Sequence, residues 1–383
     1  MAERGSVSEA LLLDALRQEA AGRSLSAGST PPSAASGRSL AGVLLIGMQS
    51  AATVSAANEI IGSDRLVLLH LDHATDAVGA GLGNREILLG DDLAPLAPFA
   101  VVGLNVEAAK SYRLLREIVG QTATYLDSAG VVLVAGPKKG GAEVAARVLR
   151  ERFESVDLLA YRKGERIYRA AGPRPRADGE IEAVAPSSEV ATVELRGCTL
   201  HLEQDERIFA RGRLDSATRM LAEAFEINRG ATVLDLGCGG GVLGILAALL
   251  EPSSTVVMVD SDPLAVEVSR RNAHLNGAPN VTVHLSDVLA DLPDRRFDLV
   301  VMNPPFHRGR THDASLAERF ITEAARALVP GGSIYVVCNR FLRYEPILER
   351  LAGSVREVAG DRQFKVLLSR RSHRPDSQPT IRR

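Results

Sequence analysis

The sequence contains no tryptophan, and aromatic residues make up only 4% of its 383 positions. An aromatic inside a polar segment therefore marks a place worth attention. The three cysteines, Cys198, Cys238 and Cys338, lie 40 and 100 residues apart with no CxxC pair. That spacing argues against a disulfide framework and against a zinc site, so no metal is expected. No apolar run can span a bilayer; the longest, 242–250, is nine residues with a glycine inside. The first residues lead into no apolar core of a secretory signal, and the chain is expected in the cytoplasm without membrane attachment. An excess of one charge is also lacking. With 45 basic and 47 acidic residues the formal net charge is −2, which gives no chain-wide attraction to polyphosphate. Contacts with nucleic acid must come from local patches.

What the sequence does have is length for two domains and short Val/Leu/Ile runs separated by helical stretches, the pattern of βαβ units on a largely parallel sheet. Residues 8–20 suit a short amphipathic helix, and the Gly/Ser/Ala/Pro-rich segment up to residue 40 reads as flexible. The expected domains are 41–172 and 189–370, joined by a polar, proline-rich linker at 173–188. The basic tail 371–383 has no apolar periodicity and is expected to be disordered.

The two halves resemble each other. Val43-Leu44-Leu45-Ile46-Gly47 parallels Val233-Leu234-Asp235-Leu236-Gly237, and 66–72, ending in Asp72, parallels 255–260, ending in Asp260. Phe99 to Asn105 parallels Phe297 to Asn303, and Ala129-Gly130 parallels Gly331-Gly332. The matches are individually weak, but their common order indicates a tandem duplication of one doubly wound α/β unit.

The strongest local signal is a buried strand running into Asp235-x-Gly237-x-Gly239-x-Gly241 and then an apolar run that can start a helix. Glycines let the backbone turn sharply and approach a ligand. Such a loop also serves nicotinamide and flavin sites. Asp235 helps to decide: a carboxylate there repels a pyrophosphate but suits the ammonium of a methionine moiety. Asp260 closes the second strand, where an acid can accept the hydrogen bonds of ribose hydroxyls. Asp287, after the third apolar run, suits either a helix cap or acceptance from an adenine amino group; taken alone it reads as the cap.

The discriminating element is Asn303-Pro304-Pro305-Phe306-His307 at the end of the fourth strand. Open α/β sheets place ligands at the carboxyl ends of their strands. Consecutive prolines fix φ and withhold backbone donors. The Asn303 side-chain oxygen and the Pro304 carbonyl can each take one hydrogen of a planar NH2, directing its lone pair toward an incoming methyl group. Phe306 offers a face for stacking a flat group. His307 either orients the substrate or bonds to the loop backbone. No general base is needed, because an alkylated amine can lose its proton to water, and positioning supplies most of the rate.

With these residues together, the chain resembles the small-subunit ribosomal RNA guanine-N2 methyltransferases and their large-subunit relatives, built from two tandem methyltransferase-like domains. The motif at 303–307 carries most of the likeness. It is joined by the segment from Ile208 to Asp215, by Asn339 to Tyr344 and by Phe364-Lys365-Val366, so the likeness covers about 190–368. The resemblance implies two Rossmann-like domains, the N-terminal one degenerate. It implies S-adenosylmethionine as cofactor, held at Asp235, Gly237, Gly239, Gly241, Asp260 and Asp287. Transfer to guanine N2 is implied at Asn303, Pro304 and Phe306, with Pro305 and His307 beside the substrate. In the first half Gly47-Met48-Gln49-Ser50 replaces the glycine loop and Asn105-Val106-Glu107 replaces the Asn-Pro-Pro motif. That half matches only loosely, best at 135–139, and Leu214-Asp215-Ser216-Ala217-Thr218 lacks a glycine expected after the Asp.

The implied partner is ribosomal RNA or a ribosomal subunit, bound by a monomer. Arg308 and Arg310 follow the motif directly and suit phosphates flanking an everted base. Arg207, Arg211, Arg213, Arg219, Lys138 and Lys139 are further basic candidates, although scattered arginines are most often a solvated face. Two other readings stay open on the residues alone. One is the same chemistry on adenine N6, a protein glutamine amide or a small molecule. The other is a non-catalytic RNA-binding assembly factor that has kept the fold.

Overall fold

The structure, a computed structural model, describes residues 6–23, 25, 42–73, 78, 84–89, 96–109, 111–174, 189–208, 210, 214–292, 296–304, 307–308, 311–312 and 314–372. For 307, 308, 311, 312, 314 and 315 only the backbone is described. The chain divides into two compact units, 1–185 and 186–383.

In the first unit the elements run α1 (Val7–Arg23), β1 (Val43–Ile46), α2 (Ala51–Ile61), β2 (Leu66–His70), β3 (Arg85–Leu88), β4 (Phe99–Asn105), α3 (Tyr112–Gln121), β5 (Leu126–Pro137), α4 (Ala142–Arg152), β6 (Phe153–Arg162) and β7 (Glu165–Pro173). The second opens with the hairpin β8 (Val190–Leu195) and β9 (Cys198–Glu203), followed by α5 (Ser216–Ala224), β10 (Thr232–Leu236), α6 (Val242–Leu250), β11 (Thr255–Asp260) and α7 (Pro263–Leu275). It continues with β12 (Val281–Leu285), β13 (Phe297–Met302), the two-residue pair β14 (His307–Arg308) and β15 (Thr311–His312), α8 (Ala314–Ala327), β16 (Leu328–Asn339), α9 (Glu345–Ala352), β17 (Ser354–Gly360) and β18 (Phe364–Arg370).

The sheets have one topology. Their strand orders are β3-β2-β1-β4-β5-β7-β6 and β12-β11-β10-β13-β16-β18-β17. The first five strands of each run parallel, and the returning hairpin is antiparallel to them. Even the irregularities coincide: the ladder slips at Phe99/Val101 in one unit and at Phe297/Leu299 in the other.

Register also corrects one detail of the repeat. Ile46 lies beside Leu69, and Leu236 beside Val259. The first-unit counterpart of Asp260 is therefore His70, 23 residues after Gly47, as Asp260 is 23 after Gly237; it is not Asp72.

The central strands are nearly uninterrupted Val/Leu/Ile/Met because helices cover both faces. In the second unit, Val233, Val256 and Met258 pack with α5, α6 and the hairpin, while Leu234, Val257 and Val259 pack with α8 and α9. α6 lies inside that packing, and its first seven residues are all buried. That accounts for the apolar run at 242–250, which reads as a core helix and not as a membrane segment. Among the described residues no helix is long and apolar enough to cross a membrane.

Candidate active site

β10 lies between β11 and β13, all parallel, so their carboxyl ends open on one edge of the sheet. Leu236 is level with Val259 and with Met302. The next residue on each strand is Gly237, Asp260 and Asn303. Three signals spread over 66 residues of sequence thus stand side by side at one level.

The turn after β10 is built by its glycines. Gly237, Gly239 and Gly241 have φ of +76°, +53° and +84°, a region in which other residues are strained. A Cβ on Gly239 would meet nothing within 4 Å, so this part of the turn faces open space. The turn is tied down on its other side. Gly237 and Cys238 donate to the Val259 carbonyl at 2.8 and 3.0 Å, and Gly239 N donates to Asp260 Oδ2 at 2.8 Å. Asn272, buried on α7, donates its Nδ2 to the Gly240 carbonyl at 2.9 Å.

Each acid has a partner that fixes it. Asp235 is 1% exposed and accepts from Gly244 N, in the first turn of α6, at 2.9 Å. Burial, assisted by repulsion from Asp260 and opposed by the Gly244 bond, pushes its carboxyl up to about 7. A cation brought against it would hold it ionised. Asp260 accepts from Gly239 N through Oδ2 and, at 2.9 Å, from Asp262 N through Oδ1.

Asp287 does not cap a helix, contrary to the reading of its sequence taken alone. A turn follows it, in which the Ser286 hydroxyl accepts from Asp291 N at 3.1 Å. The Asp287 carboxylate instead pairs with Arg319 of α8 at 2.5 Å.

The same cleft is also lined by Asp215, Thr218 and Asn303. Asp215 caps α5, accepting from Ala217 N and Thr218 N at 2.9 and 3.1 Å. Asn303 donates its Nδ2 to the Thr218 hydroxyl at 3.0 Å. Pro304 is buried beside it. Pro305, Phe306 and Arg310 lie outside the described residues, as do Arg211 and Arg213. For His307 and Arg308 the backbone alone is described, in β14. Arg207 is held by Asp205, at 2.6 Å, and is not a free cation.

Sequence reasoning passed over Thr218, Asn272 and Arg319. Thr218 had one local signal, since it is the third residue after a helix-capping Asp. Asn272 and Arg319 reach the site only through folding.

The edge thus joins an open glycine turn, two fixed acids and a side-chain amide, an arrangement suited to a nucleoside-bearing ligand beside an acceptor for a planar amine. The free space over Gly239, in the cleft that Asn303 also lines, leaves room for such a ligand.

Comparison with known proteins agrees. Residues 199–368 match the Methyltransferase small domain family. The ribosomal RNA small subunit methyltransferase C of Pseudoalteromonas atlantica is 32% identical over 274 residues, 71% of this chain and 77% of that relative. The protein of the same name from Pseudomonas aeruginosa is 32% identical over 265 residues, 69% of this chain and 77% of its own length. Among solved structures, a T. thermophilus 16S rRNA N2 methyltransferase in complex with AdoMet and guanosine superposes with a TM-score of 0.75 at 23% identity. It covers 96% of this chain and 93% of its own, so its fold matches both units. On the extent and identity of the sequence matches, the chain belongs to the ribosomal RNA small subunit methyltransferase C family.

Proposed function

We infer that this chain transfers a methyl group from S-adenosylmethionine to the exocyclic N2 amine of a guanine in small-subunit ribosomal RNA. One observation carries the site assignment. The open glycine turn after β10 and the Asn303 amide stand at the carboxyl ends of adjacent strands. The names of the relatives supply the acceptor, since they are ribosomal RNA methyltransferases.

In this reading S-adenosylmethionine supplies an electrophilic methyl group in the cleft over the glycine turn. Asp235 faces its ammonium, Asp260 accepts from the ribose hydroxyls, and Asp287 lies at the adenine end, where Arg319 sets the carboxylate. Asn303 Oδ1 and the Pro304 carbonyl accept the two N2 hydrogens of guanine. With both held, the nitrogen lone pair is left toward the methyl carbon. The N–C bond forms as the C–S bond breaks, and the nitrogen then releases a proton to water. Phe306 and Pro305 pack against the base, while His307, Arg308 and Arg310 hold the flanking RNA. Catalysis is positional, with no protein base.

The first unit serves as a degenerate copy that helps to hold RNA. His70 stands where Asp260 stands in the second unit, and the turn after β1 is occupied by the chain itself. The Glu9 carboxylate accepts there from Gln49 N at 2.6 Å and from the Thr53 hydroxyl at 2.8 Å. All the groups assigned to transfer come from the second unit, so a monomer suffices, acting on ribosomal RNA or a subunit in the cytoplasm.

The test is nucleoside mass spectrometry of ribosomal RNA from cells lacking the protein. N2-methylguanosine should be missing from one small-subunit position and return with the wild-type chain. Unchanged small-subunit RNA overturns the assignment.

A further inference from the structure

The amide of an asparagine can be turned either way, and only one way serves the chemistry above. If Asn303 presented its NH2 to guanine, two donors would face each other. What sets the amide is the pair of residues behind it. The Thr218 hydroxyl donates its hydrogen to Asp215 Oδ2 at 2.5 Å, and Asn303 Nδ2 lies 3.0 Å from the same hydroxyl oxygen.

A hydroxyl has one hydrogen to give. A carboxylate that accepts two backbone N–H groups at the α5 cap, as Asp215 does, can only accept from Thr218 as well. With its hydrogen committed to Asp215, the Thr218 oxygen has only lone pairs left for Asn303. The amide must then offer its NH2 to Thr218, which makes Oδ1 the acceptor on its other side.

We propose that Asp215 and Thr218 are positioning residues for methyl transfer: their hydrogen-bond polarity locks the Asn303 amide with its oxygen toward the acceptor amine. The proposal rests on the assignment of Asn303 as the group that holds that amine. It adds an origin for the orientation, placed 85 residues away in sequence, in the segment before β10.

The polarity, and not merely the presence, of these groups is what matters, and that makes the idea separable from a packing role. Asp215→Asn keeps the volume and a residue favoured at helix caps. Its carboxamide can donate to Thr218, which frees the hydroxyl hydrogen to point at Asn303 and favours the reversed amide. Thr218→Val keeps the shape and removes the hydroxyl. Thr218→Ser keeps the hydroxyl.

The experiment measures transfer of labelled methyl from S-adenosylmethionine to small-subunit RNA from cells lacking the protein, using full-length chain, alongside cofactor Kd and Tm. Thr218→Val and Asp215→Asn should each lower kcat at saturating cofactor by about 10-fold or more, because the transition-state contact is lost. Cofactor Kd should stay within about 3-fold. Thr218→Ser should restore kcat.

Normal kcat in Thr218→Val overturns the proposal, as does a loss confined to cofactor affinity or a serine variant as slow as the valine. If Thr218→Val is poorly folded by Tm, Asp215→Asn decides alone. Asn303→Ala separates the layers. If it transfers normally, the assignment of Asn303 itself falls; if it is inactive while both positioning variants are normal, only the locking role falls.

Discussion

Asp260 accepts a hydrogen bond from Gly239 N at 2.8 Å, so the acid that ends β11 also clamps the glycine turn that follows β10. In the proposed reading this carboxylate serves two purposes, shaping the turn and accepting from the cofactor's ribose. Asp260→Ala removes both. Two charge-assisted bonds to backbone N–H groups are lost, from Gly239 and Asp262, each worth about 1.5–3 kcal/mol. Calorimetric titration should show cofactor affinity falling by about 100-fold or more, with Tm lowered by several degrees. Asp260→Asn should lie between, because an amide oxygen can still accept. Wild-type affinity in the alanine variant would remove Asp260 from the cofactor site.

The parts of this site that sequence displayed are those made by a strand and the turn directly after it. Gly237 to Gly241 and Asn303-Pro304 each follow one apolar run, so local pattern and position at the sheet edge are the same information. Asp260 was legible for the same reason. Thr218 was not, because its meaning lies in a side chain 85 residues away. Asp287 taken alone read as a helix cap because its partner, Arg319, sits on a helix 32 residues later. The internal repeat was visible as weak matches in a common order. Strand register was needed to move the counterpart of Asp260 from Asp72 to His70.

If Asp235 faces the cofactor's ammonium, as proposed, cofactor binding should be pH-dependent. Its carboxyl is raised to about 7 by burial, from an ordinary value of 3.8. Between about pH 4 and 7 the folded chain keeps a proton on Asp235 that the unfolded chain has released. Stability from this group therefore falls as pH rises through that window and is level above it. A cofactor ammonium binds the ionised form, so affinity moves the other way, improving as pH rises to about 7 and then flattening. Asp235→Asn should abolish the pH-dependence and weaken binding most at about pH 8, while raising the Tm of the cofactor-free protein there. Affinity that is flat from about pH 5.5 to 8 in the wild type would contradict this pairing.

Two glycines, Gly239 in the turn after β10 and Gly244 in the first turn of α6, should fail in different ways. A Cβ on Gly244 would lie 2.5 Å from Met258 Sδ and 2.6 Å from its Cγ, inside a buried core. Gly244→Ala should therefore cost about 1–3 kcal/mol of stability by overpacking. A Cβ on Gly239 meets nothing, but its φ of +53° strains an alanine by about 1 kcal/mol, and the added methyl projects into the cleft. Gly239→Ala should unfold in denaturant almost like the wild type and bind cofactor poorly. Chemical denaturation and titration on both variants check the contrast, which fails if the two losses are exchanged.

The helix before the first strand of each sheet starts in the same way and ends its cleft differently. Ser6 Oγ accepts from Glu9 N at 3.2 Å, and Asp215 Oδ1 accepts from Thr218 N at 3.1 Å, so Glu9 and Thr218 are both the third residue after a cap. Glu9 is long enough to reach Gln49 N and the Thr53 hydroxyl, filling the turn after β1, and burial pushes its carboxyl up. Thr218 is short and leaves the second cleft open. Thr218→Glu should convert the open form into the filled one. The new carboxylate would approach the backbone donors of the glycine turn and sit near Asp235, competing with the cofactor for space and repelling that acid. Cofactor binding should fall below detection in calorimetry, about 100-fold or more, while far-UV circular dichroism and Tm stay close to wild type. Cofactor binding retained within about 5-fold would mean that position 218 does not hold the place in its cleft that Glu9 holds in the other.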